Sequence, residues 1–286
     1  MSAVDKKTIL ITGSNSGIGF AIAKRAAIQK QRIILACRNA TKAEAARKEI
    51  MDAAPKAEVL IQLVDLSSFD SVRNFASVIE KDFPAVDALI NNAGVLPLDQ
   101  QYTKEGFEMQ FGVNYLGHFL LTHLLLPVLV KMPKARIVHV SSLGHYAGRI
   151  NPASFRGRKF YFFGLTSYAQ SKLANVVFSH ELSRRLPPHI TSNAVHPGFV
   201  DSDFFRNIPS FVYKTWRKVL VSSEKSGQFI TDMAISEAWE GKTGQFVPAQ
   251  GWLPISSKTR DLELSSWLYN ESCRLTSANP ITSGVG

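Results

Sequence analysis

Residues 8 to 19 read Thr-Ile-Leu-Ile-Thr-Gly-Ser-Asn-Ser-Gly-Ile-Gly, and no other stretch limits the fold as tightly. Thr8 to Thr12 is a short, β-branched apolar run, the composition of a strand buried on both faces. Gly13, Gly17 and Gly19 follow, and Phe20 to Ile28 has helical character. Strand, glycine turn and helix in that order form a setting that can hold a dinucleotide pyrophosphate. Glycines allow the tight turn and close backbone approach, while the helix N-terminus offers free N–H groups and the positive end of its dipole. The spacing is Gly-x3-Gly-x-Gly, so the Gly-x-Gly-x2-Gly fingerprint is not matched. Gly13, Ser14, Asn15, Ser16, Gly17, Ile18 and Gly19 are the candidate contacts.

The same pattern continues along the chain. Short apolar runs at Thr8–Thr12, Ile33–Cys37, Val59–Val64, Ala88–Asn91, Arg136–Ser141, Thr191–His196 and Gln245–Val247 alternate with helical segments. Short links between them predict a parallel sheet with right-handed crossovers. At 286 residues and 45% apolar composition the chain can bury a full core. The expectation is therefore one α/β domain over residues 1–276, a Rossmann-type doubly wound parallel sheet of about seven strands. Residues 277–286 are expected to form a loose tail.

The second strand ends in Cys37-Arg38-Asn39. A free ribose 2′-hydroxyl is usually held by an acid at that place. No acid stands there, and a guanidinium suits a 2′-phosphate. Arg38 and Asn39 thus point to NADP(H) as the cofactor.

Tyr168 and Lys172 lie four residues apart, and no other tyrosine has a lysine at that distance. Positions i and i+4 share a helix face. An ammonium one turn away favours the phenolate, so the pair predicts a lowered phenol pKa and a general acid/base. Ser141-Ser142 lies upstream. Only one of the two should reach a site at the strand end, because successive strand side chains face opposite ways, and composition does not say which.

These motifs together resemble the short-chain dehydrogenase/reductase family along almost the whole chain. Thr12-Gly13-x3-Gly17-Ile18-Gly19 matches its cofactor turn, Asp65-Leu66 its adenine contact, and Asn91-Asn92-Ala93-Gly94 its Asn-Asn-Ala-Gly motif. Pro197-Gly198, with Val200 beyond, matches the turn that closes over the nicotinamide. Asn114, Ser142, Tyr168 and Lys172 fall where the family's catalytic tetrad falls. The resemblance implies that Tyr168 exchanges a proton with the substrate oxygen and that Ser142, not Ser141, donates to it. It further implies that Lys172 holds the nicotinamide ribose and that Asn114 holds a water linking Lys172 to solvent. Leu35-Ala36-Cys37-Arg38-Asn39 and Ser171-Lys172-Leu173-Ala174-Asn175 look most like the retinol dehydrogenase branch, including its WW-domain oxidoreductase relatives.

Charge and cysteine content narrow the partners. The formal charge is +10, but no nucleic-acid motif accompanies it, so no nucleic-acid partner is expected. Two cysteines make no disulfide framework, which fits the cytoplasm or another reducing compartment. The histidines show no metal-ligand spacing, so no metal site is expected. Phe119 to Val130 is short and interrupted and the first strand starts by residue 8, so neither a membrane span nor a signal peptide is expected.

Residues 155–163 and 199–221 are rich in aromatics, among them Phe155, Phe160, Phe162, Phe163, Phe204, Phe205 and Trp216. They suggest an apolar cleft for a lipophilic aldehyde or ketone, with a substrate loop around 199–225, or a surface that touches a membrane. The segments 114–130 and 167–186 look apolar on more than one side, which the resemblance reads as a homodimer face. The alternative to an enzyme is a non-catalytic NADPH-binding sensor that kept the fold.

Overall fold

The computed structural model describes residues 6–198, 222–251 and 253–281. The elements run β1 (Thr8–Thr12), α1 (Gly17–Ile28), β2 (Arg32–Cys37), α2 (Ala40–Ala53), β3 (Glu58–Leu63), α3 (Phe69–Asp82), β4 (Ala88–Asn91) and α4 (Met109–Leu129). They continue with β5 (Ala135–Val140), α5 (Leu165–Arg185), β6 (Ile190–His196), α6 (Ser223–Ile235), β7 (Phe246–Pro248) and α7 (Leu262–Thr276).

The seven strands form one sheet in the order β3-β2-β1-β4-β5-β6-β7, every pair parallel. The order reverses between β1 and β4, and the crevice beyond the strand ends at such a reversal is where ligands bind in this architecture. The predicted strands are all present, β1 and β4 with the expected bounds and the others off by one residue at one or both ends. Alternation along β1 splits the core: Ile9 and Ile11 face α1, α2 and α6, while Leu10 faces α3, α4 and α5.

Helix α4 carries a π turn at Gly112–Leu116. By length and apolar composition α4 could cross a membrane, yet 83% of its apolar window is buried within this fold. Helix α7 lies over α4 and α5. Tyr115 Oη bonds Ser272 Oγ at 2.7 Å, and Phe119 packs edge-on against Tyr269. Helix α7 thus covers part of the apolar sides of α4 and α5. Residues 277–281 are not loose: Ile281 N donates to Tyr269 Oη at 2.7 Å, and Ala278 and Ile281 pack on the core.

Candidate active site

The glycine turn closes tightly on the segment after β4. Gly13 has φ +64°, and a Cβ there would stand 2.9 Å from Ala93 Cα. A Cβ on Gly19 would stand 2.4 Å from Asn92 Nδ2. Asn92 Nδ2 donates to Thr12 O at 2.8 Å and Gly13 O at 3.2 Å. Gly17 has open space before it, and the first turn of α1 carries no acid. An uncrowded helix N-terminus of this kind suits a pyrophosphate.

Several candidate contacts have other work to do. Ser14 is fully buried, its hydroxyl turned inward to Ile11 O and Cys37 Sγ. Asn39 caps α2 by accepting from Lys42 N at 2.8 Å. Asp65 Oδ1 accepts from Ser67 N and Ser67 Oγ. Leu66 is buried, its carbonyl pressed against Gly117, where a Cβ would stand only 2.6 Å away. Asn15 and Ile18 are half-buried, whereas Ser16 and Arg38 are exposed. Pro197 and Gly198 lie just past β6, and Val200 falls outside the described residues.

The tetrad residues converge at the carboxyl ends of β4 and β5. Ser142 follows β5, its hydroxyl accepting from Gly144 N at 3.1 Å and sharing a hydrogen bond with Tyr168. A Cβ on Gly144 would meet both, 3.4 Å from Tyr168 Cε1 and 3.6 Å from Ser142 Oγ. Ser141 points the other way, donating to Lys172 O at 2.8 Å. Strand alternation thus separates the neighbours that composition left equal. Lys172 is buried and donates to Val140 O at 2.9 Å. Asn114 sits in the π turn and clamps Val95, accepting from its N–H at 2.8 Å and donating to its carbonyl at 3.1 Å. It also donates to Ser171 Oγ at 3.2 Å. Gly94 borders both groups, since a Cβ there would lie 3.6 Å from Asn114 Oδ1 and from Lys172 Nζ.

The electrostatics depart from the sequence expectation. Burial pushes the Tyr168 phenol up, opposed only by the Ser142 hydrogen bond. Burial lowers the Lys172 ammonium to about 8. The ammonium rests on Val140 O, 5.6 Å from the Tyr168 ring centroid. At that placement desolvation, not the lysine, dominates the phenol's titration.

A family model described as short chain dehydrogenase matches residues 7–212. The chain belongs to that family. It is an oxidoreductase of the retinol dehydrogenase branch, and its family uses nicotinamide cofactors. Human retinol dehydrogenase 11 is 39% identical over 272 residues, covering 94% of this chain and 85% of that protein. Mouse retinol dehydrogenase 13 is 37% identical over 283 residues, covering 96% and 85%. A crystallised protein from Mycobacterium Paratuberculosis superposes with a TM-score of 0.77 at 31% identity, covering 96% of this chain and 94% of its own.

In this oxidoreductase the aromatics before α5 divide into two groups. Phe155 is buried and stacks on Phe111 with centroids 4.0 Å apart. Tyr161 Oη donates to the buried Glu108 carboxylate at 3.0 Å. Phe160, Phe162 and Phe163 are 80%, 67% and 66% exposed, and the last two hold positive φ. The aromatic segment 199–221 lies outside the described residues. Sequence reading placed Thr12 in the cofactor turn without a role for its side chain, and it missed His118. Thr12 Oγ1 accepts from Asn92 N at 2.9 Å and Ala93 N at 3.0 Å, and lies 2.8 Å from His118 Nε2. The available signal was the four-residue spacing from Asn114 to His118, the same spacing that singled out Tyr168 and Lys172.

Proposed function

We propose that the chain is an NADP(H)-dependent oxidoreductase moving a hydride between nicotinamide and the carbonyl or alcohol carbon of a lipophilic substrate, such as a retinoid, a steroid or a lipid-derived aldehyde. The observation that carries this reading is the grouping of Ser142, Tyr168 and Lys172 at the end of β5, with Tyr168 hydrogen-bonded to Ser142.

The dinucleotide supplies the hydride chemistry when bound. Tyr168, its phenol raised by burial, keeps its proton at neutral pH and gives it to the carbonyl oxygen in reduction. Ser142, already accepting from Gly144 N, turns its own proton toward the same oxygen, where negative charge develops. Lys172 is cationic at neutral pH and favours the phenolate that forms as the proton leaves. Asn114 keeps Val95 and Ser171 in register beneath the site.

Arg38 supports the phosphorylated cofactor. It is exposed just past β2 and makes no ion pair with a described residue, and no acid flanks it in the chain at the place that usually holds a free 2′-hydroxyl. The retinol dehydrogenase relatives and the three outward phenylalanines ahead of α5 support a lipophilic substrate.

The test follows NADPH and NADH oxidation over aldehydes from short aliphatic ones to retinal and over steroid ketones. We expect turnover with NADPH, highest for the large apolar carbonyls and lost in Tyr168→Phe. Preference for NADH, or an Arg38→Asp variant that still prefers NADPH, overturns the cofactor assignment. Turnover limited to small polar carbonyls overturns the substrate class.

A further inference from the structure

We infer that His118 is a positioning residue that joins the glycine turn to the site around Asn114, so that cofactor binding and site geometry are coupled through one imidazole. The inference rests on the proposed function for its catalytic consequence, but its bonding pattern stands apart from it.

His118 is buried one turn after Asn114 on α4. Its Nδ1 lies 3.1 Å from the Asn114 main-chain carbonyl, which can only accept. Nδ1 therefore carries the proton. Its Nε2 lies 2.8 Å from Thr12 Oγ1. That hydroxyl has two lone pairs, both taken by N–H groups, those of Asn92 at 2.9 Å and Ala93 at 3.0 Å. Thr12 must use its single proton as a donor, and His118 Nε2 is the near acceptor, Ile90 O being 3.4 Å away. The tautomer is thus fixed from both ends. Burial holds the ring neutral, which agrees with this.

From Thr12 the bonds run through His118 to Asn114, from the Asn114 amide to Ser171 Oγ, and from Ser171 Oγ to the Tyr168 carbonyl at 2.8 Å. Thr12 ends β1 and orders the Asn92-Ala93 backbone against the glycine turn, while Tyr168 lies on α5. The imidazole is the side chain in this line that bonds both Thr12, at the end of β1 just before the glycine turn, and the backbone of α4. The π turn at Gly112–Leu116 sets the local register, Gly117 N reaching back to Gly112 O, and so directs Asn114 and His118.

Two arms test this on the full chain. Imidazole 15N NMR of the protein without cofactor should show His118 protonated at Nδ1 alone, unchanged from pH 8 to pH 5.5. Thr12→Val should shift the Nε2 resonance. An Nε2–H tautomer, or a Thr12→Val spectrum identical to wild type, overturns the bonding pattern whatever the activity. In the second arm, His118→Leu should weaken NADPH binding at least fivefold and lower kcat. His118→Gln, which can still accept from Thr12, should recover most of the binding. Thr12→Val combined with His118→Leu should lose no more than the worse single variant. Wild-type binding and kcat in His118→Leu, or losses that multiply in the double variant, overturn the coupling. Failure of the wild-type chain to bind either nicotinamide cofactor would overturn the proposed function and leave the NMR result standing.

Discussion

The Lys172 ammonium stands 2.9 Å from the carbonyl oxygen of Val140 and 5.6 Å from the centroid of the Tyr168 ring. A cation is thus stored in a buried place, held by a strand-end carbonyl, one helical turn from the phenol it serves. Burial lowers its pKa from 10.5 to about 8, so folding carries a cost for charging it. The cost is full at pH values below about 8, where both states hold the proton. It disappears as pH rises toward 10.5, because the folded state has already released a proton that the unfolded chain still binds. The shift corresponds to roughly 3 kcal/mol. Lys172→Met should therefore match or exceed the wild-type unfolding midpoint at pH 7 while losing turnover, and its advantage should shrink between pH 8 and 10.5. Denaturant unfolding at four pH values checks this. A variant less stable than wild type at pH 7 would show that the Val140 bond outweighs the charge burial.

The phenol's job is separable from binding. Tyr168→Phe removes one oxygen, leaving Ser142 and Lys172 in place. Turnover should drop by about 10²–10⁴-fold, the usual worth of a positioned general acid, with NADPH affinity within about twofold of wild type. Fluorescence titration beside steady-state rates measures both. A large loss of affinity would mean that the phenol holds the cofactor rather than the proton.

The glycine turn predicts a contrast between two alanine variants. Gly13 and Gly17 both have positive φ, but a Cβ on Gly13 meets the Ala93 backbone and one on Gly17 meets nothing within 4 Å. Gly17→Ala should cost only about 1 kcal/mol of backbone strain. Gly13→Ala adds a clash with main chain that cannot move without dragging Asn92, so it should cost more and also lose cofactor binding. Thermal unfolding and NADPH titration of both variants separate strain from shape.

The strand positions, the glycine turn and the Tyr168–Lys172 spacing were legible because each rests on local chemistry: β-branched runs, positions needing no Cβ, and a helical i, i+4 pair; Asn114 and Ser142 came from the family resemblance alone. What escaped was fixed by tertiary packing. Nothing in residues 13–19 says that the Ser14 hydroxyl turns inward to Ile11 O. Asn39 reads equally well as a ribose contact and as the cap it turns out to be. That α7, more than 130 residues beyond the start of α4, packs on the apolar sides of α4 and α5 is likewise invisible to a local pattern. The phenol's upward shift was missed for the same reason, since burial is a property of the whole fold.

Acid should loosen this fold through its histidines. Burial keeps His118, His123 and His196 neutral with pKa values lowered to about 4, and His139 to about 3, from 6.5. Between those values and 6.5 the unfolded chain binds protons that the folded one refuses, so stability falls as pH drops through that window. At pH 5 unfolding should take up about three to four protons on these groups. The midpoint temperature should fall steeply from pH 6.5 to pH 4.5, and a flat profile there would mean that the four rings accept protons in place.

The His123 ring also ties down the end of the described chain. Its Nδ1 donates to Phe119 O at 2.8 Å, so Nε2 accepts from Tyr269 Oη at 3.0 Å, and the same phenol oxygen accepts from Ile281 N at 2.7 Å. Tyr269→Phe leaves two half-buried polar groups without this partner and should cost about 1 kcal/mol. Because α7 covers α4 and α5, the variant should also loosen that cover. Light scattering should give a single-chain mass for wild type, and Tyr269→Phe should associate as temperature rises before it unfolds. A wild-type dimer that persists at nanomolar concentration would show that a second copy docks elsewhere than on the face α7 occupies.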